Sequence, residues 1–251
     1  MKVNTSELKK LLTKATLNNS IETVQLTFTE DNKVTSSMIS SNRDAIVQLN
    51  VDNNIIDGIK DEVEFNFRET NTTVIPFLSL LDKDEVDLKI TDKMINLSSG
   101  NQKMKLKFCV PQVVSKFEGD ADSGVEAFYQ KELDEEFVNS FNKIKKVGSR
   151  FGFVYFTVNK GMLSIETTDK KNSASNGLSL ELAKIKGVDD LVLCFEFKNF
   201  SNLIALLNGD YEDFTLSLFY VESHNAGLLK MMKADGSETY YMMSIIEEEE
   251  G

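Results

Sequence analysis

Six cations stand out by where they fall on two short helical patterns. At about 100° per residue, Lys9, Lys10 and Lys14 lie opposite the apolar stripe of Leu8, Leu11, Leu12 and Ala15. In the second half of the chain Lys143, Lys146 and Arg150, accompanied by Asn139 and Asn142, lie opposite Phe137, Phe141, Ile144 and Val147, and Lys145 flanks that polar face. A helix of this kind can rest its greasy face on a core and hold ammonium and guanidinium groups towards anions such as phosphates. One such helix is ordinarily a solvated surface. Two in corresponding positions are a stronger signal.

Residues for covalent or acid–base chemistry do not converge in the same way. The one histidine, His224, sits in the turn-like run Glu222-Ser223-His224-Asn225. There is no Cys-x-x-Cys, His-Glu-x-x-His, Gly-x-Ser-x-Gly or Gly-Lys-Ser/Thr pattern. Glu62/Glu64 and Asp134/Glu135/Glu136 are neighbouring carboxylates, but with 40 acidic residues in the chain such pairs carry little weight. Cys109 and Cys194 lie in or beside apolar strand patterns and read as buried, reduced thiols. The expectation is a protein that is not an enzyme and holds neither metal nor cofactor.

The elements that would position the cations occur twice, at an offset of roughly 125–137 residues. The first copy reads as a helix over Ser6 to Thr16, strands at Val24/Leu26/Phe28, Val34 to Ile39 and Ala45 to Asn50, and a strand at Val63/Phe65/Phe67. A second helix over Thr73 to Leu81 and strands at Val86/Leu88/Ile90, Met94 to Leu97 and Met104/Leu106/Phe108 complete it. The second copy has a helix over Glu135 to Val147, strands at Phe153 to Val158, Met162 to Thr167, Gly177 to Ala183 and Leu191 to Phe197, a helix over Asn199 to Asn208, and three closing strands ending at Ile245. In each copy the second helix is weaker in charge: Thr72, Pro76 and Ser79 are uncharged, and Lys198 is the one cation of the other. The fold class is α+β, as two similar domains rich in antiparallel sheet.

With 251 residues, 41% of them hydrophobic, the chain can bury two ordinary cores. No apolar run reaches membrane-spanning length and no leader pattern opens the chain, so a soluble intracellular protein with no membrane partner is expected. The net charge of −12 excludes a simple basic DNA-binding domain but allows a locally positive face.

Particular stretches resemble the sliding clamps of the proliferating-cell-nuclear-antigen type. Leu8-Lys9-Lys10-Leu11-Leu12 resembles their first DNA-facing helix, and Ser36-Ser37-Met38-Ile39-Ser40-Ser41 followed by Ile46-Val47-Gln48-Leu49 resembles the strands after it. Met104-Lys105-Leu106, Glu136-Phe137 and Val158-Asn159-Lys160-Gly161 look like later landmarks, and Tyr240-Tyr241-Met242-Met243-Ser244-Ile245-Ile246 with Glu247 to Glu250 resembles the tyrosine pair, closing strand and acidic end. The connector from Val110 to Phe128 lacks the family's usual hydrophobic-proline segment, one inner helix lacks the family's lysines, and Leu163 stands about where eukaryotic clamps carry a modifiable lysine. These departures suggest a divergent member, viral or bacteriophage in type.

The resemblance implies two tandem clamp domains, residues 1–110 and 129–251, joined by a connector at 111–128. Sheets would lie outside and two helices per domain inside a six-domain ring, closed as a homotrimer. Lys9, Lys10, Lys14, Asn139, Asn142, Lys143, Lys146, Arg150 and Lys198 would face double-stranded DNA, and an acidic outer surface would repel it elsewhere. Met104, Leu106 and Phe108 of one chain would meet Leu178, Leu180 and Leu182 of the next. Met38, Ile39, Val113, Val114, Phe117, Tyr241, Met243 and Ile245 would form a groove for short hydrophobic peptides of a DNA polymerase and a clamp-loader ATPase. Two other readings compete: a monomeric or heteromeric processivity factor, and an unrelated two-domain β-rich protein.

Overall fold

The computed structural model describes residues 1–170, 176–207 and 211–245. The chain forms two compact units, one of Met1–Glu118 with Asp235–Thr239, the other of Gly119–Ala234 with the residues from Tyr240 onward. The division falls inside the expected connector. Glu247 to Glu250 and Asn208, the last residue of the expected fourth helix, lie outside the described residues.

The first unit begins with a three-residue strand β1 (Lys2–Asn4) and helix α1 (Thr5–Ala15), followed by β2 (Val24–Phe28), β3 (Lys33–Ile39), β4 (Ala45–Asp52) and β5 (Val63–Phe67). A π-helical turn at Thr70–Val74 and the single α-turn α2 (Ile75–Leu78) precede β6 (Glu85–Thr91), β7 (Met94–Ser99) and β8 (Gln102–Lys107). The strands form two antiparallel layers, β1-β6-β7-β8 and β5-β2-β3-β4. Strict alternation writes the layers into the sequence: in β6 Val86 and Leu88 are buried and Asp87 and Lys89 exposed.

Asn4 starts α1, its Oδ1 accepting from the N–H groups of Ser6 and Glu7 at 3.1 Å. Leu8, Leu11, Leu12 and Ala15 then bury along one side. The expected helix over Thr73 to Leu81 is shorter than its pattern. Pro76 has no N–H to donate, Thr70, Thr72 and Thr73 are β-branched, and Glu69 enters with φ of 54°. What forms is a wide turn and four α-helical residues.

The second unit comprises β9 (Ala127–Glu132), α3 (Glu135–Gly148), β10 (Phe153–Asn159), β11 (Met162–Thr167), β12 (Leu178–Lys184), β13 (Leu191–Glu196), α4 (Phe197–Leu207), β14 (Phe214–Val221) and β15 (Ala226–Lys233). The last strand, β16 (Glu238–Met243), begins with residues of the first unit. Its layers are β12-β11-β10-β13 and β16-β15-β14-β9. Asp134 caps α3, accepting from the Phe137 N–H at 2.8 Å and pairing with Lys131 at 2.9 Å. The Lys131 hydrogen bond, then that N–H, hold its carboxyl below the usual range.

Each unit has its own aromatic core. Phe65 sits 4.9 Å from Phe28 and 5.3 Å from Phe108 between ring centroids. In the other unit Phe141 of α3 meets Phe137 at 4.7 Å and Phe200 of α4 at 5.3 Å, which ties the two helices together. Val147, expected on the apolar stripe, is instead exposed, and Val138 and Gly148 take the buried positions. The cause is the close approach of α4: a Cβ on Gly148 would lie 2.2 Å from the Phe197 ring.

The connector's two halves are anchored separately, the first by backbone pairing and the second by side chains, each within its own unit. In the first, the Phe117 N–H donates to the Ser37 carbonyl at 3.1 Å and the Ile39 N–H to the Ser115 carbonyl at 3.1 Å, so the segment pairs with β3 where β2 has diverged from it. In the second, Asp122 pairs with Lys230 at 2.8 Å and accepts from the Tyr241 hydroxyl at 3.0 Å. Burial pushes the Asp122 carboxyl up, but the hydrogen bonds with Lys230 and Asp120, the charge of Lys230 and the Tyr241 hydroxyl together outweigh it and leave the group below its ordinary value. Burial, with the charges of Asp122 and Asp120, pushes the Tyr241 hydroxyl far up, so it remains a donor.

Two outcomes follow from these contacts. Gly148→Ala should destabilise the second unit by about 1–2 kcal/mol, a clash partly offset by better helix propensity, and shrinking Phe197 to Leu in the same chain should recover most of the loss in thermal melts. Asp122→Asn, which leaves Lys230 without its carboxylate, should cost on the order of 2–3 kcal/mol at neutral pH. Because the folded carboxyl lies below its unfolded value of 3.8, that contribution is complete above the unfolded value and fades as the pH falls through the folded one. Denaturant melts of the two proteins should therefore converge in strong acid, and a gap that stayed constant would remove Asp122 as the source.

Candidate nucleic-acid interface and partner groove

Lys10 projects from α1 with its side chain 67% exposed, tethered by a 2.7 Å contact to Glu7 whose hydrogen bond and charge raise its pKa. Lys9 is half-buried. Lys14 differs: its ammonium lies 2.6 Å from the buried carboxylate of Glu238, so its charge is compensated within the first unit. The cationic face of α1 is therefore narrower than its sequence suggests, and Lys10 is its outermost group.

Along α3, Asn139, Lys143, Lys146 and Arg150 are exposed and Asn142 is half-buried. Asn139, Asn142, Lys145 and Lys146 line a shallow open concavity. Lys143, Lys146 and Arg150 make no ion pair among the described residues, and the cations gather in the last turns of the helix, where its dipole favours them. Lys145 joins this surface, a placement its flanking position already indicated. Lys198 is exposed at the start of α4. Such groups can meet phosphates without reading bases.

The groove residues divide. Met38, Val114 and Tyr241 are buried in their own units, Met38 accepting from the Gln25 N–H through its sulfur. Ile39 and Phe117 are partly exposed, Met243 likewise, and Val113 and Ile245 are 43% and 37% exposed. Met38 and Ile39 are consecutive in β3 and point to opposite faces, so they cannot both floor one groove. In the first unit a concavity beside the connector is lined by Ile21, Glu22, Thr23, Ile39, Ser41, Arg68, Val113 and Ser115. Glu22, Thr23 and Arg68 went unnoticed in the sequence because each sits at a strand end, where no periodicity marks it.

Apart from Phe108, which follows β8, the expected subunit-contact residues lie on two strands. Among the described residues β8 pairs with β7 alone and β12 with β11 alone. Leu106 is buried within its own sheet, Met104 and Phe108 are half-buried, and Leu178, Leu180 and Leu182 are half-buried. The expectation of an acidic sheet surface fails around β8. Lys89, Lys93, Lys103, Lys105 and Lys107 are exposed there and have no carboxylate partner among the described residues, and the nearby Asp87 pairs with Lys2 at 3.1 Å.

Among the described residues no group of three or more His, Cys, Asp or Glu side chains is placed to hold a metal ion, and no helix is long and apolar enough to cross a membrane. No protein-family model matches the sequence, and no curated protein matches it. Solved structures do. A PCNA of A. fulgidus bound to the C-terminal region of FEN-1 superposes with a TM-score of 0.64 over 99% of this chain and 98% of that one, at 12% identity. The PCNA2–PCNA3 complex of Sulfolobus tokodaii gives 0.62 over 97% and 99%, at 14% identity. The DNA polymerase III β subunit of Thermotoga maritima gives 0.64 over 98% of this chain and 64% of that one, at 15% identity. At these identities the likeness speaks for architecture: this chain has the fold of the sliding clamps, with two domains of the kind from which they are built.

Proposed function

We propose that this chain is a DNA sliding clamp, a processivity factor that encircles double-stranded DNA and tethers the replicative polymerase and other replication or repair proteins. The observation that carries the reading is the repetition of one device: a capped amphipathic helix lying on a sheet, in each unit, with uncompensated or weakly tethered cations outward, in a chain of net charge −12. A protein repelled by DNA overall and attracted along two helices suits contact that is weak, sequence-independent and confined to one surface. Linkage by enclosure, rather than affinity, then supplies processivity, and no catalytic group is required of the clamp itself.

Enclosure needs a ring. The one-sided strands β8 and β12 offer main-chain donors and acceptors for pairing between copies, with Met104, Leu106 and Phe108 facing Leu178, Leu180 and Leu182 across the seam. Three two-domain copies make six domains, opened for loading by an ATP-driven loader. Polymerase and loader dock through short peptides with hydrophobic anchors, for which Ile39 and Val113 supply the exposed apolar part of the concavity in the first unit and Met243 and Ile245 the exposed part of the closing segment in the second.

The assembled protein should have about three times the 28.3 kDa mass of one chain by light scattering, falling on dilution. Replacing Lys10 and Lys146 together by Ala should shorten polymerase run lengths roughly three- to tenfold without altering that mass, because two phosphate contacts are lost. Unchanged run lengths would remove the two helices as the DNA-facing surface.

A further inference from the structure

The lysines around β8 are the wall of a trough. On the face of the β1-β6-β7-β8 layer turned away from the core, Lys105 stands opposite Asn96 and Asn96 opposite Lys89, and in the next rung Lys103 stands opposite Ser98. Their neighbours Leu106, Ile95, Leu97 and Leu88 are buried on the other face. The short side chains of β7 therefore make a floor between long, exposed lysines, and Lys89, Lys103, Lys105, Asn96 and Ser98 line the resulting concavity. Lys107 continues the β8 wall opposite Met94. The side chains of Asn96 and Ser98 make no hydrogen bond among the described residues, and the wall lysines have no carboxylate partner there. Of the acids nearby, Asp87 and Glu85 lie 3.1 and 4.0 Å from the Lys2 ammonium, and Asp92 sits in the turn beside Lys93.

We infer that this trough binds an acidic, extended peptide segment of a partner protein. The walls on β6 and β8 are two strand spacings apart, about 9.5 Å, which seats one extended chain and is too narrow for a duplex. Chemistry then separates a polypeptide from a single nucleic-acid strand. Surfaces that hold unpaired bases stack them on aromatic rings, and β6, β7 and β8 contain no aromatic residue. A peptide finds partners for both of its parts. Its side chains repeat on one face every second residue, at about 6.8 Å, the interval that also separates Lys103 from Lys105 and Lys105 from Lys107. Carboxylates on alternate residues thus meet successive ammonium groups. The Asn96 amide offers a donor and an acceptor to the peptide main chain, and Ser98 a hydroxyl. Lysine is a point charge on a flexible stem, so the trough asks for acidity at this spacing and not for one fixed sequence. It lies wholly within the first unit and uses neither the cations of α1 and α3 nor the concavity beside the connector, so it is separate from the sites of the sliding-clamp reading.

The test is fluorescence anisotropy on the full chain with two labelled probes, a peptide of about ten residues alternating Glu and Ser, longer than the β8 row, and an oligothymidylate of similar length. Wild type should bind the peptide at low salt and progressively less as salt is raised. Lys89→Glu combined with Lys105→Glu should weaken peptide binding about tenfold and change oligothymidylate binding by no more than about twofold. Lys89→Gln with Lys105→Gln should fall between that variant and wild type. The control is Lys160→Glu with Lys186→Glu, an equal change of charge at exposed lysines of the second unit, which should leave peptide binding within about twofold of wild type. Circular dichroism and melting temperature establish that each variant is folded. No peptide binding by wild type, or an equal loss in the control pair, would overturn the assignment. A greater loss for the oligothymidylate than for the peptide on reversing Lys89 and Lys105 would give the trough to nucleic acid and overturn it as well.

Discussion

An amphipathic helix that surrenders its apolar stripe to a sheet has no choice about where its other face goes. Everything of functional interest here depends on that constraint. Leu8, Leu12, Phe137, Phe141 and Ile144 are committed to their cores, and each burial of this kind is worth about 1.5–3 kcal/mol against leaving the side chain in water. Lys10, Lys143 and Lys146 are outward as a consequence, not by any contact of their own. A surface made this way is rigid in position and soft in chemistry: the backbone is fixed by the core, and the flexible ends of the lysines adjust.

Much of this could be read in the chain before any coordinates. Alternation in Val86/Leu88 and in Leu178/Leu180 marked sheets with one buried face, and the doubled pattern marked two units. What escaped notice had no periodic signal to offer. Lys2–Asn4 is too short to show alternation, and in Ala127–Glu132 only Tyr129 is buried. The helix over Thr73 to Leu81 was overestimated because a hydrophobic stripe does not register the missing N–H of Pro76. At the sites, spacing located the cations but not their neighbours: nothing near Lys14 in sequence announces Glu238, which lies in the far part of the chain. The groove suffered from the same blindness, since the parity of β3 says that Met38 and Ile39 separate but not which of them is covered.

The connector shows how a segment of little regularity can still be held in place. Backbone pairing with β3 fixes Ser115 and Phe117, and an ionic pair with a tyrosine donor fixes Asp122. The first anchor also covers a stretch of strand edge that would otherwise be open, which removes a site for unwanted pairing. The β8 and β12 edges receive no such cover among the described residues.

Gly148 and Phe197 carry a consequence for descent. The ring occupies the space that any side chain at 148 would need, so the two positions cannot drift independently. Replacing the glycine while the aromatic remains crowds the helices, and shrinking the aromatic while the glycine remains leaves a void between them. Either single step costs stability, so geometry couples the two positions in the sequence space open to this fold.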